Sequence, residues 1–298
     1  MHSISTHPGE ALALLTAVTW AFAVILFRKS GEAVHPVGLN MFKNLLAIAL
    51  LLPTIWLFGE TLLLPVPASD YLLVLLSGAL GIGIADTLFF KSLNALGAGL
   101  IAIVDCLYSP FIIGLSMLWL GETLSIQQII GVTIIISAVL TVTREGRSNP
   151  ADRRTILNGI VWGVLSLATM AVGIVMIKPL LDRSPLLWVT EVRLIGGVAV
   201  LAVILLFHPS RRAIVRSVFS PQRWGYTLSG SFVGAYLSMV LWLAGMKFTH
   251  ASIASALNQT SNIFIFIFAA MLLRERITPV RLAGIGLGVI GAFLVTFG

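Results

Sequence analysis

The chain has one cysteine, Cys106, and it falls inside a hydrophobic run, so disulfides say nothing about its compartment. Histidine is scarce too. The five residues His2, His7, His35, His208 and His250 form no HExxH pair, so a metal site lacks ligands and no cofactor is expected. No GxxxxGK[ST] phosphate loop is present, which argues against ATP-driven pumping by this chain. Gly286, Gly288 and Gly291 spell GxGxxG, but no strand precedes them; Gly284 and Gly288 read better as small-residue helix packing. With neither a Ser-His nor a metal constellation, the chain is not expected to be an enzyme. Above all, charge is scarce: only 10% of 298 residues are charged and 58% are hydrophobic, which excludes an ordinary soluble domain. The net charge of +7 sits in short loops, so it marks orientation beside anionic lipid and implies no nucleic-acid partner.

What is present is a series of apolar runs, each long enough at about 1.5 Å per residue to cross a hydrocarbon core of roughly 30 Å. Such runs read as helices, because lipid offers the backbone no hydrogen-bond partner. Ten spans are expected, near 10–27, 37–58, 70–91, 97–120, 124–143, 156–178, 185–207, 223–246, 250–272 and 278–297. The tail before the first run has no Lys or Arg, so that run is read as a retained span and not as a cleaved signal. Residues 144–154, rich in arginine, divide the spans into two sets of five, giving a first repeat over 1–143 and a second over 155–298.

The two sets are related. Ser109–Val139 aligns without a gap on Asn262–Ala292 at an offset of 153 residues, which carries Glu122 onto Glu275 and Gly131 onto Gly284. The same offset carries Gly81 onto Gly234 and Leu88 onto Leu241. Five spans per copy is an odd number, so the second copy must enter the membrane upside down. The expected fold is therefore an all-α polytopic membrane protein of ten transmembrane helices, built as two inverted five-helix repeats. Of the 19 Lys and Arg residues, 14 fall in odd-numbered loops, which makes those loops cytoplasmic and both termini periplasmic.

The turn between two spans, with a lone glutamate and a glycine nine residues on, resembles the signature of the EamA family. These are the ten-helix members of the drug/metabolite transporter superfamily. The resemblance covers nearly the whole chain and occurs twice. It implies export of amino acids or related compounds across the inner membrane of a bacterial cell, and there is a looser similarity to the family's bacterial exporter of aromatic amino acids.

Polar side chains within the spans supply the candidate site. Thr16, Thr19 and Trp20 in span 1 match Ser166, Thr169 and Met170 in span 6 at an offset of 150. Span 4 carries Asp105, Tyr108 and Ser109, span 8 carries Trp242, and span 9 carries the run Asn258 to Asn262. Ser and Thr in membrane helices commonly bond their own backbone. Five consecutive polar side chains cover every helix face, however, and some of them should meet water or ligand. Intramembrane charges are the sharper signal, and the candidates are Lys43, Asp86, Asp105, Glu191 and Arg193. Lys43 and Glu191 lie near span ends, where snorkelling and local pairing are the alternative. Two bases against three acids leave a carboxylate over, which makes Asp105 or Asp86 a possible proton-coupling site. Pro110 should kink span 4, whereas span 9 has Ile263 at the matching place, so the kink is expected on one side only.

These features suggest a secondary transporter that works by alternating access through a midplane cavity. Its expected substrate-binding residues are Trp20, Asp105, Tyr108, Ser109, Trp242, Asn258 and Asn262. The aromatic side chains would hold the substrate's side chain, while the amides and Asp105 would hold its amino and carboxylate groups. The alternative is an exporter of drugs or quaternary cations with Asp105 as counter-charge. The partners expected are a small-molecule substrate and the lipid bilayer; the oligomeric state, monomer or larger, stays open.

Overall fold

The computed structural model describes residues 8–120, 125–142, 150–181, 183–220, 222–248 and 257–297. The Glu122 turn lies outside them. Among the described residues the chain is helical throughout and has no strand. The helices are α1 (Pro8–Ser30), α2 (Pro36–Leu57), α3 (Ala68–Leu96), α4 (Ala98–Asp105), α5 (Tyr108–Leu120), α6 (Ile126–Val142) and α7 (Pro150–Val175). They continue as α8 (Lys178–Leu181), α9 (Leu186–Phe207), α10 (Arg211–Val218), α11 (224–248), α12 (Ser261–Leu272) and α13 (Pro279–Phe297). Among the described residues, seven helical stretches are long and apolar enough to cross a membrane: α1, α2, α3, the pair α4–α5, α7, α9 and α13. Ile126–Thr141 and Leu257–Leu272 are shorter apolar helices.

Local chemistry sets these boundaries. Pro36 opens α2 at a position where its missing N–H costs nothing, and His35 caps that end, its Nδ1 accepting from the Val37 amide at 3.3 Å. Gly97, at φ +80°, lets the chain turn from α3 directly into α4. Both α3 and α11 contain a π-helical stretch, Ala79–Ile84 in the first and Ser231–Leu237 in the second. The 153-residue offset nearly superposes the two stretches.

Packing repeats in the same way. α3 lies on α7 and α11 lies on α1; α9 contacts α3 and α2 contacts α11; α12 contacts α1 while α4 and α5 contact α7. Three serines stitch α3 to α7: Ser77 donates to Gly173 O at 2.5 Å, Ser92 to Gly159 O at 2.8 Å, and Ser166 to Ala85 O at 2.7 Å. The α6–α13 seam is closed by glycine, because a side chain on Gly131 would meet the Gly291 carbonyl at 2.7 Å. The largest apolar cluster lies in the middle and includes Phe27, Phe90, Leu100, Ile101, Val104 and Phe266.

Loops gather at two ends. At one, Ser30 bonds Thr227 at 2.7 Å, the His35 amide bonds Ser217, Glu32 pairs with Arg223, and Asn94 abuts Gly31. The Glu275 carboxylate belongs to this end, accepting from the amides of Ala98 at 2.8 Å and Gly99 at 3.0 Å. At the far end of α2, Arg183 pairs with Asp70 at 2.9 Å, and Trp188 donates its indole N–H to Leu62 O at 3.1 Å. The first, third, seventh and ninth loops thus share one face, and the second and sixth share the other.

Candidate functional site: a junction of interrupted helices

Span 4 does not run through. It stops at Asp105, turns at Cys106–Leu107, and resumes at Tyr108 as α5. Pro110 accounts for this, since it has no N–H to offer the Cys106 carbonyl and its ring crowds that oxygen. The helix preceding α12 is interrupted too, at Thr260, although no proline is there. Thr260 instead donates its hydroxyl to Leu257 O at 2.5 Å and closes a tight turn with its own amide. The kink expected in span 4 alone is therefore matched by an interruption in its counterpart, because a local threonine bond competes with the helix ladder as a proline does.

The two interruptions meet. Gln259 donates to Ser109 Oγ at 2.5 Å, and Asn262 donates to Gln259 Oε1 at 3.2 Å and lies 3.6 Å from Cys106 Sγ. Asn258 keeps a buried side-chain oxygen with no partner among the described residues. Asp105, half-buried at the end of α4, makes no side-chain hydrogen bond or ion pair among them. Tyr108 is half-buried on the far side of the same turn.

Of the expected residues, only Ser109 and Asn262 are joined by this network, and the others have different surroundings. Trp20 is half-buried and tilted against Phe89, ring centroids 6.2 Å apart. Trp242 is half-buried on α11, which packs along α1. Asp86 is engaged: Lys43 Nζ sits 2.7 Å from its Oδ2. The matched hydroxyls of spans 1 and 6 are largely used up within the helices. Thr16 bonds Leu12 O, Thr19 bonds Leu15 O and Thr169 bonds Leu165 O, so they mark helix chemistry more than a pocket.

Sequence reasoning passed over the network behind Lys43. The ammonium also donates to Asn44 at 3.0 Å, and Asn44 donates to Asn40 at 2.9 Å. Asn40 in turn donates to the carbonyls of Ile82 and Gly83 and to Thr87. Those carbonyls belong to the π-helical stretch of α3, where the altered ladder leaves them available to a side chain. The signal was there: Asn40, Lys43 and Asn44 fall at i, i+3 and i+4, one face of one helix. Two charges of α9 stay outside every such network. Glu191 is 0% exposed and neither carboxylate oxygen has a partner among the described residues, and Arg193 Nε is likewise unsatisfied.

Comparison with known proteins decides the kind of molecule. Residues 7–144, and again 157–297, match the EamA-like transporter family. The chain belongs to that family. Two curated relatives are archaeal, both named as uncharacterized transporters. One, from Archaeoglobus fulgidus, is 24% identical over 92% of each chain. The other, from Methanothermobacter thermautotrophicus, is 28% identical over 70% of this chain and 59% of its own. A solved crystal structure covers 96% of this chain and 97% of its own at a TM-score of 0.64 and 17% identity, which is a likeness of fold. This EamA-like chain is accordingly a multi-pass membrane protein, and its relatives point to transport and away from catalysis. Its two matches flank the arginine-rich segment 145–156, near the expected boundary between halves.

Proposed function

We propose that the protein is a secondary transporter that exports small organic metabolites, aromatic or amphipathic amino acids foremost, by alternating access. In this reading ten spans form two inverted five-helix halves, residues 1–143 and 155–298, joined by 144–154, and substrate binds between them. The observation that carries it is the pair of interrupted helices whose turns meet at Ser109–Gln259 and Cys106–Asn262. Interrupted spans aim polar backbone and side chains at a midplane site, and the membrane tolerates such breaks only where protein or a cavity surrounds them. Inversion is supported by the loops. The first loop touches the seventh at one end of α2, and the sixth touches the second at the other end. Arginine-rich odd loops put that first end in the cytoplasm, with both termini periplasmic in the cell membrane.

Asp105, without a partner among the described residues, is the residue for proton coupling or for an ammonium group. The experiment is uptake into proteoliposomes of labelled aromatic amino acids and, separately, of cationic dyes, with and without a proton gradient. Amino-acid uptake that ignores the dyes supports the first reading. Asp105→Asn should abolish or flatten its pH dependence, and unchanged transport in that variant sinks the coupling role. A second reading, export of quaternary cations, draws on the same Asp105 carboxylate, which has no partner among the described residues, and on the half-buried Trp20; dye uptake without amino-acid uptake would establish it.

A further inference from the structure

The repeat relates more than glycines. An offset of 150 residues carries α2 onto α9 and sets Lys43 on Arg193, while the offset of 153 sets Asp86 on Met239. The two halves therefore hold equivalent cations with unequal neighbours. In the first, Lys43 is bound to Asp86. In the second, the aligned position holds a thioether, which could not balance a guanidinium, and Arg193 packs against Gly78 and Gly81 of α3.

Arg193 is correspondingly free. It forms no ion pair within 4.0 Å and no side-chain hydrogen bond among the described residues, and its Nε is buried and unsatisfied. Its surroundings lead inward. A side chain on Gly81 would meet Arg193 Nη2 at 3.1 Å and lie 4.0 Å from Met170 O, so the glycine makes room for the guanidinium between α3 and α7. Among the described residues, Tyr108, at the span 4 interruption, and Asp86, already held by Lys43, lie within electrostatic reach of it. Arg193 nevertheless keeps part of its surface accessible, as do Asp105 and Tyr108. An always-charged, forked donor set deep in a membrane protein without an anion is costly unless a ligand supplies one.

We propose that Arg193 is the anion anchor of the substrate site between the halves and that it binds a substrate carboxylate. The proposal rests on the transport reading above and narrows it to carboxylate-bearing substrates. A singly charged carboxylate suits the site better than a phosphate, because Asp86 stands nearby and would repel a second negative charge. With Arg193 holding the carboxylate and Asp105 facing an ammonium group, a zwitterion satisfies both. Guanidinium and carboxylate then meet through two parallel N–H···O bonds, a geometry lysine does not reproduce.

The test uses the full chain purified in detergent, with wild type, Arg193→Gln and Arg193→Lys compared once each elutes as a single species. Ligand-induced stabilisation is titrated with L-phenylalanine, 3-phenylpropionate, 2-phenylethylamine, L-alanine, L-lactate and inorganic phosphate. Wild type should favour carboxylates over the amine. Arg193→Gln should weaken them about 10- to 100-fold while leaving the amine unmoved, and Arg193→Lys should fall between. Full carboxylate affinity in Arg193→Gln, a wild type that binds only the amine or only phosphate, or one that binds no carboxylate would each overturn the proposal. Arg193-dependent binding confined to the short carboxylates keeps Arg193 and sinks the aromatic class. Arg193-dependent binding of a compound that liposomes then fail to take up keeps the anchor and sinks transport.

Discussion

Glu275 was conspicuous in the sequence as a lone acid in a turn repeated 153 residues apart, and the structure gives it a physical task. It stands where the first amides of α4 have no helical partner, and its two oxygens accept from Ala98 and Gly99. A carboxylate there also opposes the positive end of the helix dipole. Glu275→Ala should cost about 1–2 kcal/mol, read as a lowered midpoint of thermal unfolding, while Glu275→Gln should cost less. His35 is the residue through which acid should act. Burial first, then the His208 imidazole and the Lys91 ammonium, hold it below the ordinary value of 6.5. The unfolded chain thus takes up a proton that the folded chain resists. The stability from this site is present above pH 6.5 and is lost as the pH falls through the folded-state value. Protonation would also remove the Nδ1 acceptor that caps α2. Unfolding midpoints measured from about pH 7 to about pH 5 should fall in wild type and fall less in His35→Asn, which keeps a capping acceptor. Glu32, paired with Arg223 and Lys29 on the same loop, is the nearby acid to hold constant.

At the scale of elements, the two loop faces carry a matched device. The 153-residue offset sets Asp70 on Arg223, and each pairs across to the other half: Asp70 with Arg183, and Arg223 with Glu32. The polarity is exchanged between faces while the position is kept. Both pairs are partly exposed, so each should bias opening by only about 1.5- to 5-fold. In hydrogen–deuterium exchange, Asp70→Asn should raise exchange in 58–70 and 183–187 and lower it in 30–36 and 208–223. Arg223→Gln should do the reverse. A variant that loosens its own face and leaves the opposite one unchanged would mean that the halves do not rock together. The interruptions that make rocking plausible were half legible. Pro110 announced one, but Thr260 looked like any polar residue in a polar run. Only a backbone conformation reveals that its hydroxyl has displaced a helix bond.

For the whole molecule, the uneven distribution of arginine and lysine sets the expected orientation. Alkaline phosphatase fused after Gly298 should be active and a green fluorescent protein dark, and the opposite result would invert the assignment of faces. Hydropathy alone determined that the chain is helical and membrane-embedded, since lipid leaves the backbone no other way to satisfy its polar groups. Self-similarity determined that there are two related halves, because a repeat is written in one dimension and needs no coordinates to be read. Composition also exposed every intramembrane charge, but not its state. Lys43 and Arg193 look equivalent in sequence, as do Asp86 and Asp105. Which cation is already neutralised depends on which helix faces it and whether that helix brings an acid there. That is a property of packing between segments tens of residues apart, and tertiary structure alone decides it: Lys43 lies 2.7 Å from Asp86, and Arg193 has no ion-pair partner among the described residues.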